Sequence, residues 1–459
     1  MEGIRLKRLK IDKYRNVAPG TELVFNDGFN VLLGKNGTGK TTLLRLIAMV
    51  VTGSFGHLKD EDFGLEYELA VSGFRIIATI RNESRRGRTA TSSQMDKLLI
   101  GTSSPQSEST WSCEFKILSG EGSLAVTLCT VSTDPLRANL HFDGRDHPIA
   151  VQSPFEHNHL FLPLFSLIDI ISSHANATND TMPVAWALVI QRLFSTVSLL
   201  EVTMANGGRF DEALGALDVI TADRSHNDAG DIRQAILWVL EGARPTKLTT
   251  GFNKFIPPQV REAVITSSPH SLADGILRFE HKSLRFLQKM VNVLGVNGVT
   301  LVASLDRKLT SEGLDAFIYN GFEFRVTLAD DTIISHKHLS YGQKRLLSFL
   351  YYTACNPDIV IADELVNGLH YEWIGACLEE IEDRQSFLTS QNPVLLDLLP
   401  IESADDARRS FILCSNEVRD GRAQMVWKAM SEQSADQFYR AYETQALRVS
   451  EILRFNDLW

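Results

Sequence analysis

The stretch Asn30-Val31-Leu32-Leu33-Gly34-Lys35-Asn36-Gly37-Thr38-Gly39-Lys40-Thr41-Thr42 decides how the rest of the chain is read. An apolar run leads into a glycine loop, and the loop into a helix start. The spacing from Gly34 to Thr41 matches G-x-x-x-x-G-K-[ST], the phosphate-binding loop. Gly34, Gly37 and Gly39 let the backbone turn so that its N–H groups face inward. Lys35, Asn36, Thr38 and Thr42 complete the cradle. The pattern predicts Lys40 on the β- and γ-phosphates of a nucleotide and Thr41 on Mg²⁺. The helix from Lys40 adds the positive end of its dipole. Leu43, Leu44, Leu46 and Ile47 give that helix a buried face.

Some three hundred residues later comes Leu339-Ser340-Tyr341-Gly342-Gln343, which opens a helix predicted over 344–355 and stopped by Asn356-Pro357. Asp358-Ile359-Val360-Ile361-Ala362 then reads as a buried strand ending in Asp363 and Glu364. Ser340 suits an N-cap, and a helix N-terminus with a serine hydroxyl is an anion site.

This order of motifs resembles ABC-type ATPases of the SMC/RecF/OLD-like branch. Their signature L-S-G-G-Q lies one helix before the Walker B strand. Here Tyr341 replaces the first glycine. Tyr14-Arg15-Asn16-Val17 is similar to an [FY]-[RK]-[SN] segment of RecF-like ATPases. The resemblance covers roughly residues 1–60 and 320–400.

It implies ATP and Mg²⁺ as cofactors. Asp363 would contact the Mg²⁺ shell, and Glu364 would be the general base. Ser340, Gly342 and Gln343 would cap ATP held by a second protomer, in a head-to-tail dimer. Asn367-Gly368-Leu369-His370 resembles the D-loop. His370 stays open between a seam residue and a polar loop residue. In 386–393 the family carries a switch histidine where this chain has Gln391, whose amide donates a hydrogen bond but does not titrate. Gln152 is a weak candidate for the Q-loop glutamine.

The expected fold is α/β: a P-loop NTPase, ABC-type head, with an antiparallel β arm and a helical insertion. The expected domains are an N-terminal lobe (1–63), the arm (64–155), the insertion (156–315) and a C-terminal lobe (316–459). Arm strands are predicted at 65–71, 74–80, 113–118, 124–131 and 138–142. Arg85-Arg86-Gly87-Arg88 and the Ser/Thr-rich 89–110 read as a polar loop, and 159–163 as a return to the core sheet. Insertion helices are predicted at 184–204, 210–220, 232–240 and 272–294, the last with Arg278, His281, Lys282, Arg285 and Lys289 on one side. Strands follow at 317–319 and 322–328. A tail helix is predicted from the capping box Ser434–Gln437, with Phe438, Tyr442, Ala446, Val449, Ile452 and Leu453 on one face. That face suits core packing or a docking surface.

Strand 4–11 sets Ile4, Leu6, Leu9 and Ile11 against Arg5, Lys7, Arg8 and Lys10. The basic face is a solvated edge or a DNA contact. The net charge of −10 argues against a nucleic-acid-coating protein. Hydrophobic residues at 44% and charged ones at 22% suit a soluble globular protein of two or three domains over 459 residues. Five scattered cysteines without a C-x-x-C pair fit a reducing cytoplasm and exclude a disulfide scaffold. No signal peptide and no membrane span are read. A Toprim nuclease, found in OLD-type relatives, lacks its Asp-x-Asp here, so a separate nuclease or toxin is the expected effector. Standalone ATPases of this layout resemble components of bacterial anti-phage defence systems. The alternatives are a RecF-like DNA repair ATPase and a nucleotide-gated scaffold with little turnover.

Overall fold

The computed structural model describes residues 3–53, 55, 58, 60–71, 74–84, 109–119, 125–131, 137–142, 145–150, 219–222, 257, 259–260, 275–311, 314–381, 384–419, 421–444, 447–456 and 458. Of the expected loop at 85–110, residues 85–108 lie outside them, while Ser109 and Thr110 open a strand; strand 159–163, helices 184–204 and 232–240, and Gln152 also lie outside. Along the chain run β1 (Ile4–Tyr14), β2 (Thr21–Val24), β3 (Phe29–Leu33), α1 (Lys40–Thr52), β4 (Phe63–Val71), β5 (Phe74–Ser84), β6 (Ser109–Ser119), β7 (Ala125–Val131), β8 (Arg137–Phe142) and β9 (Arg145–Ala150). Then come β10 (Val219–Ala222), β11 (Ile276–Glu280), α2 (Arg285–Leu294), β12 (Gly298–Ser311), β13 (Leu314–Thr327), β14 (Ile333–Ser335), α3 (Tyr341–Cys355), β15 (Ile359–Ala362), α4 (Tyr371–Ile381), β16 (Gln385–Thr389) and α5 (Pro393–Asp397). The chain ends with α6 (Ala404–Ser410), β17 (Phe411–Arg419), β18 (Arg422–Ala429), α7 (Glu432–Glu443) and α8 (Val449–Phe455).

Two compact units result: Met1–Phe194 with Ile401–Trp459, and Ser195–Pro400. In the first, eight strands form one antiparallel sheet in the order β2-β1-β4-β5-β6-β7-β8-β9. The expected lobe 1–63 and the expected arm therefore share one sheet, because β4 pairs along β1 from Ile4↔Val71 to Tyr14↔Phe63. Register shifts in that pairing fall between Leu6 and Arg8 and between Ile11 and Lys13. The first explains why the apolar alternation changes phase between Leu6 and Leu9: one extra residue at a bulge moves the next apolar side chains back to the buried face. Ile4, Leu6, Leu9 and Ile11 are all buried.

A second, smaller sheet in this unit pairs β3 in parallel with β17 and β17 antiparallel with β18. Val31, Leu32 and Leu33 face Phe411, Ile412 and Leu413 in register, and all but Leu413 are at most 2% exposed. A parallel strand covered on both faces reads as a continuous apolar run, as 31–33 does. Phe411 in turn meets Phe438 of α7 edge-on at 5.4 Å between ring centroids.

The tail differs from expectation. Ser431, not Ser434, caps α7, its hydroxyl accepting from the Ser434 N–H at 3.1 Å. The helix stops at Thr444, and a separate α8 carries the buried Val449, Ile452 and Leu453. The uninterrupted apolar spacing hid this break.

In the second unit β10, β13, β12 and β11 form an antiparallel sheet, and β14 pairs with β13. Three expectations fail here. Residues 272–294 are not one helix but β11 followed by α2. Leu277 and Phe279 are buried while Ile276, Arg278 and Glu280 are exposed, a two-residue period misread as helical. Val219 and Ile220 belong to β10, not to the end of a helix. The pieces at 317–319 and 322–328 are one strand, paired to β12 through two register shifts, with Gly321 at φ +65° inside it. Phe324 and Phe286 pack edge-on against Tyr351 of α3, at 5.6 Å and 6.3 Å. β15 and β16 pair in parallel, Ile359↔Gln385 to Ala362↔Leu388. Among the described residues, no helix is long and apolar enough to cross a membrane.

Candidate functional site

The glycine loop follows β3 and is held from the C-terminal part of the chain. Gly34 (φ +147°) lies so close to the Cys414 carbonyl that a side chain there would overlap it. Gly39 (φ +85°) leaves no room for a Cβ beside Met425 Sδ, and Trp427 stands within 3.2 Å of the same point. Gly37 (φ +80°) has open space, so only its backbone conformation requires glycine. The Trp427 indole N–H donates to the Thr38 carbonyl at 3.1 Å, and Asn416 Nδ2 donates to the Gly37 carbonyl at 3.2 Å. Thr38 is buried, its hydroxyl donating to the Lys35 carbonyl at 2.8 Å. Nothing in the sequence pattern marks Asn416, Met425 or Trp427 as loop supports.

Lys40 Nζ folds over the loop and donates to the carbonyls of Gly34 (2.6 Å) and Lys35 (3.0 Å). Gly39 caps α1 without a side-chain cap hydrogen bond. The glycine cradle, the helix N-terminus and the lysine fit a polyphosphate. A cavity of about 650 Å³ opens beside Gly34, Lys35 and Asn36, walled on the other side by Asn416 and Lys428. Burial pushes the neighbouring Cys414 thiol up to about 12, against the pull of the Lys40 ammonium, so it stays a neutral wall.

Tyr14 to Val17 touches the same support. The Met425 N–H donates to the Asn16 carbonyl at 2.8 Å, and the Ala18 N–H to the Met425 carbonyl at 2.9 Å. Arg15 (φ +48°) grips Glu61 with two bonds of 2.8 Å and lies 5.1 Å from the Tyr14 ring centroid. Other cations of the basic strand are paired too: Lys7 with Asp27, Arg8 with Glu22 and Glu66, Lys13 with Asp62. The face is thus ion-paired, but it is not the expected edge: β2 and β4 pair with β1 on either side.

In the second unit, α3 begins at Tyr341 and Ser340 is its N-cap. Ser340 Oγ accepts from the Gln343 N–H at 3.3 Å, and Gln343 Oε1 accepts from the Ser340 N–H at 3.0 Å. This reciprocal capping box points the helix end and the exposed Ser340 outward together. Gly342 is close-packed: a Cβ would meet the Gly368 carbonyl at 3.0 Å and Trp373 at 3.2 Å. Tyr341, at the position where the family has glycine, lies against Gly368 and is 55% exposed. His370 meets Trp373 edge-on at 5.3 Å.

The strand end after β15 is fixed from several sides. Glu364 is one of three non-glycine residues with positive φ (+51°) among those described. Its N–H donates to Thr389 Oγ1 at 2.8 Å, and that hydroxyl donates to Asp363 Oδ1. The buried Arg345 of α3 donates to the carbonyls of Glu364 and, at 3.2 Å, Leu365, and at 3.3 Å to the Tyr341 hydroxyl. Gln391 Nε2 donates to Glu364 Oε1 at 2.5 Å, and Asn367 Nδ2 to Glu364 Oε2. The structure thus brings Asp363, Glu364 and Gln391 together, with Ser340 one helical turn from Arg345. Thr389, Asn367 and Arg345 were not assigned to this cluster from the sequence. Thr389 sits in the stretch that ends at Gln391, and Arg345 two residues past Gln343, so proximity in sequence was the available signal.

Residues 8–121 match the family profile described as an AAA domain. That segment contains the whole glycine loop. The match and the glycine loop inside it support a P-loop α/β nucleotide-binding fold of the ATPase type. No curated protein matches the chain. Among solved structures it is similar to an SMC head bound to the C-winged-helix domain of ScpA, at 10% identity over 93% of this chain and 98% of that one, with a TM-score of 0.35. A Smc head with an extended coiled coil from Pyrococcus furiosus, bound to the C-terminal domain of ScpA, gives 14% identity over 96% and 100%, TM-score 0.33. The SMC head domain from Thermotoga maritima gives 12% over 93% and 99%, TM-score 0.33. These are loose superpositions.

Proposed function

We propose that this chain hydrolyses ATP with Mg²⁺ and couples that reaction to association with a second copy of itself. The observation that carries the reading is the clasp around Glu364: a carboxylate turned out of its strand, held by Gln391 and tied through Arg345 to the helix that Ser340 caps. Residues 34–42 bind the phosphates. Mg²⁺ takes hard oxygen donors, and Thr41 and Asp363 offer a hydroxyl and a carboxylate. When bound, Mg²⁺ would offset the negative charge that develops on the phosphates. Glu364 accepts a proton from the attacking water, and Gln391 holds it in orientation as a neutral donor.

Ser340, Gly342 and Gln343 form a helix N-terminus with Ser340 exposed, and the capping box uses the N–H groups of Ser340 and Gln343 but not those of Tyr341 and Gly342. That supports its use on a phosphate from outside the protomer, in a head-to-tail dimer. In a cytoplasmic setting such a cycle gates a partner. The resemblance to anti-phage ATPases points to a separate nuclease or toxin as the effector. DNA as a partner is the second reading, and the paired cations of β1 count against that face as its contact.

Phosphate release and the mass of the protein in solution, with and without Mg-ATP, test the proposal. Wild type releases phosphate and gains mass with ATP. Glu364→Gln keeps the ATP-dependent mass but loses turnover. Wild-type hydrolysis no faster than that of Glu364→Gln refutes the enzyme reading and leaves a nucleotide-gated scaffold. Unchanged mass with ATP refutes the composite site.

A further inference from the structure

Every polar atom of Glu364 is engaged, and one neighbour engages it twice. The Asn367 N–H donates to the Glu364 carbonyl at 3.2 Å, closing a turn, while Asn367 Nδ2 reaches back to Oε2. On the other oxygen stands Gln391 Nε2 at 2.5 Å. The two oxygens of the carboxylate therefore each receive one amide hydrogen from a different segment, three and 27 residues further along the chain.

A carboxylate offers about four lone-pair sites on its two oxygens. Two amides occupy two of them and fix the plane of the group. The remaining sites are left for water. Glu364 sits in the left-handed region (φ +51°), where a non-glycine residue persists only if its surroundings over-determine it. The turn 364–367 supplies that constraint from below, and Gly368 (φ +79°), covered by the Tyr341 ring at 3.1 Å from its would-be Cβ, ends the turn.

We propose that Asn367 is a positioning residue for hydrolysis: its side-chain amide and that of Gln391 clamp the two oxygens of Glu364, so that the base meets the attacking water in one orientation. This rests on the reading of Glu364 as the general base. Asparagine suits the task because its short side chain returns to residue i−3 and its amide donates. Aspartate has the same shape but no amide hydrogens, and places a second carboxylate against the first.

The test is steady-state ATP hydrolysis with separate kcat and KM for wild type, Asn367→Ala, Asn367→Asp and Glu364→Gln, each also combined with Glu364→Gln. Melting temperature and the affinity for a fluorescent ATP analogue are measured alongside. Both Asn367 variants lose about tenfold or more in kcat, the scale of a misplaced catalytic group. KM, analogue affinity and melting temperature stay at wild-type values. In the Glu364→Gln background neither causes a further loss, since residues acting as a unit are non-additive. Wild-type kcat in either Asn367 variant overturns the proposal. So does a kcat loss accompanied by a fall in melting temperature or ATP affinity, which assigns Asn367 to the turn alone. Wild-type kcat in Glu364→Gln overturns the assignment of the base instead.

Discussion

The indole N–H of Trp427 donates to the carbonyl of Thr38 at 3.1 Å across 389 residues of chain. This bond fixes the middle of the glycine loop from β18. It also explains why Thr38 is buried in a loop whose neighbours Asn36 and Gly37 are exposed. Trp427→Phe keeps the ring beside Gly39 and removes the donor. Its expected effect is a two- to tenfold weaker Kd for ATP, the equivalent of about 1 kcal/mol for one hydrogen bond. Calorimetric titration with a non-hydrolysable analogue reads it directly.

Gly39→Ala meets two obstacles at once, the φ of +85° and the Met425 sulfur. ATP affinity falls by more than about tenfold, from left-handed strain of about 1–2 kcal/mol plus the overlap. Combining it with Met425→Ala removes the overlap and leaves the strain. The double variant therefore recovers part of the affinity and not all of it.

Arg345 is 5% exposed and spends its guanidinium on two carbonyls and a phenol. Arg345→Met removes the donor from the Leu365 carbonyl and leaves the Glu364 carbonyl with the Asn367 N–H alone, at about 1–3 kcal/mol for a buried acceptor left unsatisfied. The melting temperature falls, and kcat falls with it because the backbone of the base is released. ATP affinity at the glycine loop stays unchanged. An unaltered kcat argues against Arg345 as the tie between α3 and Glu364.

Acid should weaken the corner at Arg15. The hydrogen bonds from Arg15 hold the Glu61 carboxyl below its ordinary value of 4.5, with burial opposing and the guanidinium charge assisting. A folded pKa below the unfolded one means that the stabilisation is complete above about pH 4.5 and fades as pH falls through the lower folded value. Glu61 is 34% exposed at its side chain, so solvent screens the pair and its worth stays below about 1 kcal/mol. Glu61→Gln therefore melts slightly earlier than wild type at pH 7. The two melting curves converge as pH drops below 4. A gap that widens in acid contradicts the sign.

Legibility in the sequence followed locality. The glycine loop, the N-cap at Ser340 and the acids after β15 each occupy a few consecutive residues whose types are dictated by one geometry, and each is readable. The alternating strands β4 to β8 were readable for the same reason. Errors arose where two periods share a stretch. Leu277 and Phe279 alternate as a strand while Phe286, Leu287, Met290 and Leu294 recur as a helix, and the run was read as one helix. The loop supports Asn416, Met425 and Trp427 were invisible, because a parallel pairing of β3 with β17 has no local signature. The amide clasp on Glu364 is half visible: Glu364, Asn367 and Gln391 stand in readable motifs, but the turn that folds Asn367 back onto residue 364 has no sequence signature.

The pairing of β3 with β17 also has a consequence in time. A ribosome releases residues 34–42 early and residues 411–429 more than three hundred and sixty residues later. Until then the nascent loop lacks the Trp427 and Asn416 bonds and the strand beside β3. ATP capture thus becomes a late event of synthesis, and a chain interrupted before β18 leaves the ribosome unable to hold nucleotide firmly.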